Sequence, residues 1–292
     1  MENIKSLCEK YGVRPQRQAG QNFLIDKKVL NKIIKTANLE KDDVILEIGP
    51  GFGILTQELV KRVKKVIAIE LDKRMAEALK EELKEFNNLE IINKDILKMQ
   101  NAKCTLLNSC KTNLTGQEMQ NKEKDLEIQN YKIVANIPYN ITSAILRKFL
   151  SEELIKPNEM ILLIQKEVGQ RIIAKPGEMS LFSVSVQFYS QPKIISIVSK
   201  NSFWPKPKVD SAIIKIVLQK IDKEINEKDF FNLVRAGFSS RRKQLKNNLK
   251  KILKICEKDL EKIFQELNFN FKIRAQELSI EDWIKLYKKI YK

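Results

Sequence analysis

Val44-Ile-Leu-Glu-Ile-Gly-Pro-Gly-Phe-Gly53 is the stretch on which the fold turns. Its first five residues read as a strand. Glycines follow at once, and then an amphipathic helix runs through Leu55, Leu59 and Val63. A glycine-rich turn from strand to helix lets a ligand come close to the backbone. The next strand, Val66-Ile-Ala-Ile69, ends in Glu70. An acid about 20 residues past the first glycine, closing the second strand, is placed for a ribose diol. A helix from Lys73 to Phe86 follows, then a third strand, Leu89-Glu-Ile-Ile92, closing with Asn93-Lys94-Asp95.

Three strand ends therefore carry Gly49-x-Gly51-x-Gly53, Glu70 and Asp95. The spacing is not the G-x-G-x-x-G of pyrophosphate binders, and no lysine follows it as in a P-loop. Both facts favour an adenosyl cofactor without phosphates, S-adenosylmethionine, over NAD or ATP.

A second strand end stands out at Asn136-Ile-Pro-Tyr139. Lys132 to Ala135 reads as a short buried strand, which Pro138 stops because proline lacks an N–H and fixes φ. The turn offers an amide (Asn136), carbonyls with no helical partner, and an aromatic face (Tyr139). Those groups suit a flat nitrogen heterocycle. The plainer reading is a strand-to-helix turn with Asn136 as a cap.

Composition narrows the chemistry. The 292 residues hold 54 Lys and Arg against 37 Asp and Glu, a net charge of +17. That excess suits a polyanion, nucleic acid before membrane, unless it reflects a lysine-rich proteome. There is no histidine, so no imidazole base or ligand is on offer. The four cysteines form no C-x-x-C pair, so zinc and redox motifs find no support and no metal is expected. The start is too polar for a signal peptide and no stretch reads as a membrane span, so a cytoplasmic protein is expected.

Residues 1–20 read as basic and irregular, and a helix capped by Asp26 follows over about 27–37. Residues 100–130 are rich in Asn, Gln, Lys and Glu and read as a polar surface insert. Helices are predicted over about 142–151, 166–174 and 179–189, and strands over 160–164, 194–198 and 212–218. Between the last two strands lies Phe203-Trp-Pro-Lys-Pro-Lys-Val-Asp-Ser211. Its aromatics and cations suit base stacking and phosphate contact; alternatively it is a hairpin whose aromatics pack into the core. From about 221 four amphipathic helices are predicted, at 230–238, 241–253, 258–267 and 280–290. Every charge between Arg235 and Lys254 is positive, which fits a phosphate-tracking face or a solvated one.

Placed in order, these pieces resemble the small-subunit ribosomal RNA adenine dimethyltransferases, the KsgA/RsmA family. The resemblance runs from about residue 11 to the end. It rests on Gly20-Gln-Asn-Phe-Leu24, Glu47 to Gly53, Glu70, Asp95, Asn136 to Tyr139, Gln165-Lys-Glu-Val168, Phe203 to Ser211, and Ala236-Gly-Phe-Ser-Ser-Arg-Arg-Lys-Gln-Leu245. It implies an α/β fold: a class I, Rossmann-like methyltransferase domain with a mostly parallel sheet over 1–220, and a helical RNA-binding domain over 221–292. The implied reaction is dimethylation of the exocyclic N6 of two adjacent adenines in the 3′-terminal hairpin of 16S RNA. The implied partner is the immature small subunit, met by a monomer. The resemblance also implies residue roles. Asn22 and Leu24 border the methionine end of S-adenosylmethionine, Gly49 and Gly51 lie along it, Glu70 takes the ribose, and Asp95 takes the adenine amino group. Asn136 bridges cofactor and substrate. Read from the residues themselves, the Asn136 oxygen and a carbonyl near Ile137 or Pro138 can accept the two N6 hydrogens, and Tyr139 and Phe203 can sandwich the base. In the one-sign run, Arg241, Arg242, Lys246 and Lys250 are placed to track phosphates. Two departures stand out: the 100–130 insert is long, and residues 176–182 look trimmed. The rival readings are a 23S RNA adenine dimethyltransferase conferring antibiotic resistance and a non-catalytic ribosome-assembly factor on the same fold.

Overall fold

The computed structural model describes residues 4–15, 20–99, 131–153 and 156–291. The insert read over 100–130 lies outside them. The chain splits into two compact units, Met1–Glu167 with Lys193–Leu218, and Val168–Pro192 with Gln219–Lys292.

The first unit is built on a sheet of β2 (Val44–Ile48), β3 (Lys65–Glu70), β4 (Leu89–Asn93), β5 (Lys132–Asn136), β6 (Glu159–Gln165), β7 (Ser190–Val198) and β9 (Ser211–Leu218). The order across it is β4-β3-β2-β5-β6-β9-β7. β2 pairs in parallel with β3 and β5, β3 with β4, and β5 with β6, while β9 runs antiparallel to β6. The chain order therefore reverses between β2 and β5, the switch point at which open α/β sheets take ligands. Ile45, Leu46, Val66, Ile67, Ile133 and Val134 are fully buried along these strands. Each such side chain contributes about 1.5–3 kcal/mol. β1 (Phe23–Leu24) and β8 (Phe203–Trp204) form a separate two-stranded ribbon, with Phe23 opposite Trp204 and Leu24 opposite Phe203.

Helices follow the strands as the sequence predicts. α2 (Lys27–Ala37) is capped by Asp26, whose Oδ1 accepts the amides of Lys28 and Val29. α3 (Ile54–Val60) leaves the glycine turn, and α4 (Lys73–Glu82) starts at Asp72, which accepts the Arg74 amide. The start of the chain differs from expectation: α1 spans Ile4–Lys10. Ile4, Leu7 and Cys8 recur at helical spacing and pack with Phe23, Phe52 and Met75. Lys10 Nζ and Tyr11 Oη both donate to Glu82 Oε1, at 2.8 and 2.7 Å. These contacts come from distant residues, so a local reading of a polar start misses the helix.

After Thr142 the chain forms α5 (Thr142–Arg147) and then a wider π turn over Lys148–Glu152. Lys148, nearly buried, pairs with Glu153 at 2.8 Å and donates to the Met99 carbonyl at 2.7 Å. α6 (Lys166–Ile172) follows β6.

The second unit holds α7 (Leu181–Tyr189), α8 (Glu227–Gly237), α9 (Leu245–Leu253), α10 (Glu257–Glu266) and α11 (Ile280–Tyr291). A single cut at 220 therefore does not describe the chain. The seam at Leu218 lies close to it, but Val168–Pro192 groups with the helices. Aromatic packing explains this: Phe188 stacks on Phe230 with centroids 4.3 Å apart, and Tyr189 Oη donates to Glu227 Oε2 at 2.5 Å. The trimmed stretch is held there too, with the amides of Gly177 and Met179 both donating to the Gln276 carbonyl. α9 begins at Leu245 rather than Arg241, so Arg241 and Arg242 sit in the turn before it.

Candidate active site

In the first unit the carboxyl ends of β2, β3 and β5 open on a cavity of about 280 Å³. Its floor is the glycine turn. Gly49, Gly51 and Gly53 have φ of 67°, 59° and 80°, a region that only glycine enters freely. A Cβ on Gly51 would lie 3.1 Å from the Phe23 ring, and one on Gly49 would touch Pro138. The bare backbone is what leaves the cavity open.

Glu70 ends β3 inside this cavity and is 5% exposed. Its Oε2 accepts the Gly51 amide at 3.1 Å and its Oε1 the Asp72 amide at 2.9 Å. Burial raises its carboxyl above the usual range, against the pull of those amides. Glu47, on β2, lines the same cavity at 1% exposure, and its Oε2 has no hydrogen-bond partner. Burial pushes this carboxyl up to about 8, with the Thr56 hydroxyl opposing and the Glu70 charge adding to the rise. The sequence reading assigned Glu47 no role. The signal was there: an acid inside an otherwise apolar strand.

Opposite stands the turn after β5. Asn136 Nδ2 donates to the Asn22 carbonyl at 3.0 Å, and Asn22 Nδ2 donates to the Gly20 carbonyl at 3.1 Å. The Ile137 amide donates to the Leu163 carbonyl at 3.2 Å, and Ile141 to the Pro138 carbonyl at 3.2 Å. Tyr139 opens a short 3₁₀ turn, Tyr139–Ile141. Its hydroxyl lies 2.6 Å from Ser211 Oγ. Burial, and then the charges of Glu167 and Asp210, raise the phenol above its usual range while Ser211 opposes them. Tyr139 therefore stays a neutral phenol near pH 7 and is not a base.

One cavity thus gathers Asn22, Leu24, Gly49, Gly51, Glu70, Asn136, Pro138 and Tyr139, residues up to 117 positions apart. Two expected members are not among its lining residues. Asp95 opens a turn after β4, where its Oδ1 accepts the Leu97 amide at 2.9 Å. Phe203 is 2% exposed and belongs to the apolar cluster with Leu24, Val198 and Ile213. Its ring is core, so the sandwich of Tyr139 and Phe203 is not formed. β8 pairs with β1, and that pairing leaves Phe203 on the buried side. Lys206 and Lys208 of the same loop are exposed.

Comparison with known proteins identifies the chemistry. The ribosomal RNA adenine dimethylase profile matches residues 13–292. This chain belongs to the ribosomal RNA adenine dimethylase family. A ribosomal RNA small subunit methyltransferase A of Dehalococcoides mccartyi is 41% identical over 288 residues, 98% of this chain and 92% of that one. A protein of the same name from Clostridium acetobutylicum is 39% identical over 296 residues, 99% of each chain. The crystal structure of a dimethyladenosine transferase from Plasmodium falciparum superposes with a TM-score of 0.70 at 27% identity, over 90% of this chain and 95% of that one. The 23S ribosomal RNA methyltransferase ErmE matches in fold, with a TM-score of 0.71 at 24% identity, over 93% and 100%.

The dimethylase uses S-adenosylmethionine to methylate adenine in ribosomal RNA. The cavity fits that cofactor on its own terms. Its glycine floor admits a ligand against the backbone, the amide-anchored Glu70 suits a diol, and the unsatisfied Glu47 Oε2 is an acceptor open to an N–H donor of the ligand. Among the described residues no cluster of His, Cys, Asp and Glu could hold a metal, and no helix is long and apolar enough to cross a membrane.

The dimethylase's run of one-sign charge, Arg235 to Lys254, sits in the helical unit. Arg241 lines a cleft of about 440 Å³ with Arg171, Ser180, Phe238 and Gln276. Arg242 and Lys243 are exposed beside it in sequence. Lys246 and Lys250 differ: both pair with Glu257, at 3.8 and 2.6 Å. The one-sign run ends just before its own counterion, three residues past Lys254.

Proposed function

We propose that this enzyme dimethylates the N6 of two adjacent adenines in the 3′-terminal hairpin of small-subunit 16S RNA, acting as a cytoplasmic monomer on the immature subunit. The observation that carries the adenine chemistry is the Asn136 side chain, anchored through Nδ2 on the Asn22 carbonyl inside the cavity that also holds Glu70. That anchor leaves Oδ1 as an acceptor. The small-subunit assignment draws on relatives of that name at 39–41% identity over nearly the whole chain.

An exocyclic amine is a weak nucleophile because its lone pair is delocalised into the ring. S-adenosylmethionine supplies an electrophilic methyl on a sulfonium. The chain's own task is to bend the amine's lone pair out of the ring plane. Asn136 Oδ1 and a carbonyl of Ile137 or Pro138 accept the two N6 hydrogens, which favours the pyramidal, positively charged transition state. The Pro138 carbonyl already accepts Ile141 and keeps its second lone pair for this. Positioning supplies the rest, and no histidine is needed. The target base leaves its stack to reach the cavity, where Tyr139 offers a ring face. Glu70 holds the ribose hydroxyls and Asn22 and Leu24 border the other end of the cofactor. In the helical unit, Arg241 and Arg242 contact phosphates.

The test is mass spectrometry of RNA from immature small subunits and from large subunits, each incubated with the protein and S-adenosylmethionine. Two dimethylated adenines near the 3′ end of 16S RNA are expected. Modification of 23S RNA alone would move the substrate to the large subunit. No modification of either would leave an assembly factor.

A further inference from the structure

We propose that Ser211 is a positioning residue for the target base: its hydroxyl holds the ring of Tyr139 at the angle at which that ring receives the adenine. This rests on the reading above, in which Tyr139 faces the base. The loop from Phe203 to Ser211 was expected to reach the base with its aromatic start. In the structure that start is buried, and the loop meets the cavity wall at its other end.

The contact is firmly built. Ser211 is fully buried and is the first residue of β9, opposite Gln165 in an unbroken antiparallel register that runs to Glu159 and Val217. The residue before it is pinned twice: the Asp210 carbonyl accepts the Lys166 amide at 3.0 Å, and Asp210 Oδ1 accepts the Lys200 amide at 3.1 Å. The serine hydroxyl thus sits on a part of the sheet that cannot slip. It meets the Tyr139 hydroxyl at 2.6 Å, a short hydroxyl pair. On the other side of the turn Gly20 lies so close that a Cβ there would sit 3.0 Å from the Tyr139 amide. Gly20 crowds the backbone of Tyr139 and Ser211 holds the ring's far end, which limits the swing of the ring. The phenol stays protonated, since burial and the nearby Glu167 and Asp210 charges raise it, so the hydroxyl serves as an anchor and not as an acid or base. Three separate stretches, Asn136–Tyr139, Gln165–Glu167 and Asp210–Ser211, converge on this one bond.

Removing the bond from either side should have the same consequence. The full-length protein carrying Ser211→Ala, Tyr139→Phe, or both is assayed for methyl transfer to unmodified small subunits. S-adenosylhomocysteine affinity is measured by calorimetry in parallel. Each single variant is expected to lower kcat by about tenfold, the scale of one hydrogen bond, with S-adenosylhomocysteine affinity unchanged. The double variant should be no worse than either single one, because both delete one shared interaction. Tyr139→Phe leaves β9 untouched, so it carries the test if Ser211→Ala melts early. Multiplying effects, or a Tyr139→Phe enzyme with wild-type kcat, would overturn the proposal. Tyr139→Ala separates the two ideas. If it keeps full turnover, Tyr139 does not face the base, and both readings fall. If it loses turnover while Tyr139→Phe does not, the ring acts without its anchor and only the role of Ser211 is lost.

Discussion

The cavity at the strand ends and the basic turn of the helical unit hold their charges in opposite ways. In the cavity the ionisable groups are acids, buried and raised above their usual range: Glu70 takes two amides, and Glu47 sits at 1% exposure with one oxygen unsatisfied. In the turn before α9 the charges are cations, Arg241 to Lys243, all exposed. Buried groups act through geometry and desolvation, so the loss of one is felt steeply. Exposed cations act through counterion release, so each contributes a small, salt-dependent share. The contrast is blurred by Lys246 and Lys250, which share Glu257 as a single counter-charge, Lys250 at 2.6 Å and Lys246 at 3.8 Å.

The sharpest way to break this contrast is at Asn136. Asn136→Ala is expected to cut kcat by roughly 100- to 1,000-fold, the scale for losing one transition-state hydrogen-bond partner. Steady-state methyl transfer reads it, and a loss confined to KM would remove Asn136 from the chemistry. Next is Glu70→Ala, which should weaken S-adenosylhomocysteine binding by about 1.5–3 kcal/mol. Calorimetry with unchanged affinity would leave the ribose without this partner.

Glu47 tests burial itself. Its folded-state value of about 8 lies above the 4.5 of the free side chain. A raised carboxyl binds its proton more tightly when folded, so the folded state loses stability as pH rises from 4.5 through about 8. Glu47→Gln removes that loss. Its melting temperature should match wild type near pH 4.5 and exceed it by a few degrees above pH 8, for a gain of about 1–3 kcal/mol. A gap that does not vary with pH would mean that Glu47 titrates normally.

The smallest effect sharpens the comparison from the other side. Arg241→Gln with Arg242→Gln should flatten the slope of log RNA affinity against log salt by up to about two units. Lys246→Gln with Lys250→Gln should flatten it less, by about one unit, because Glu257 already offsets one of the two lysine charges. Equal effects would show that RNA displaces Glu257. Cofactor affinity should stay constant in both double variants.

Much of the site was legible from sequence because glycine and proline dictate backbone paths locally. Gly49, Gly51 and Gly53 adopt the positive φ that only they enter freely, and Pro138 ends β5 at the turn where Asn136 and Tyr139 are presented. Strand-end acids such as Glu70 follow from the same alternation of strand and helix. The excess of positive charge also pointed to a polyanion without any contact being known.

Other features required the tertiary structure, because they depend on partners far along the chain. Phe203 was open to two readings, and pairing of β8 with β1 sends it to the core. Ser211 gained its place beside Tyr139 only when β9 aligned with β6. Val168–Pro192 joined the helices through Phe188 on Phe230, a contact 42 residues apart that no linear cut at 220 anticipates. α1 formed because Glu82 and Phe52 were there to receive it. Amino-acid sequence by itself determined the turns, the acids at the strand ends and the excess of positive charge, since backbone preference and the sign of a side chain's charge are properties of single residues. The tertiary structure alone decided which aromatic is core, which hydroxyl anchors the ring and which lysines are already paired, since those depend on distances that only the folded chain sets.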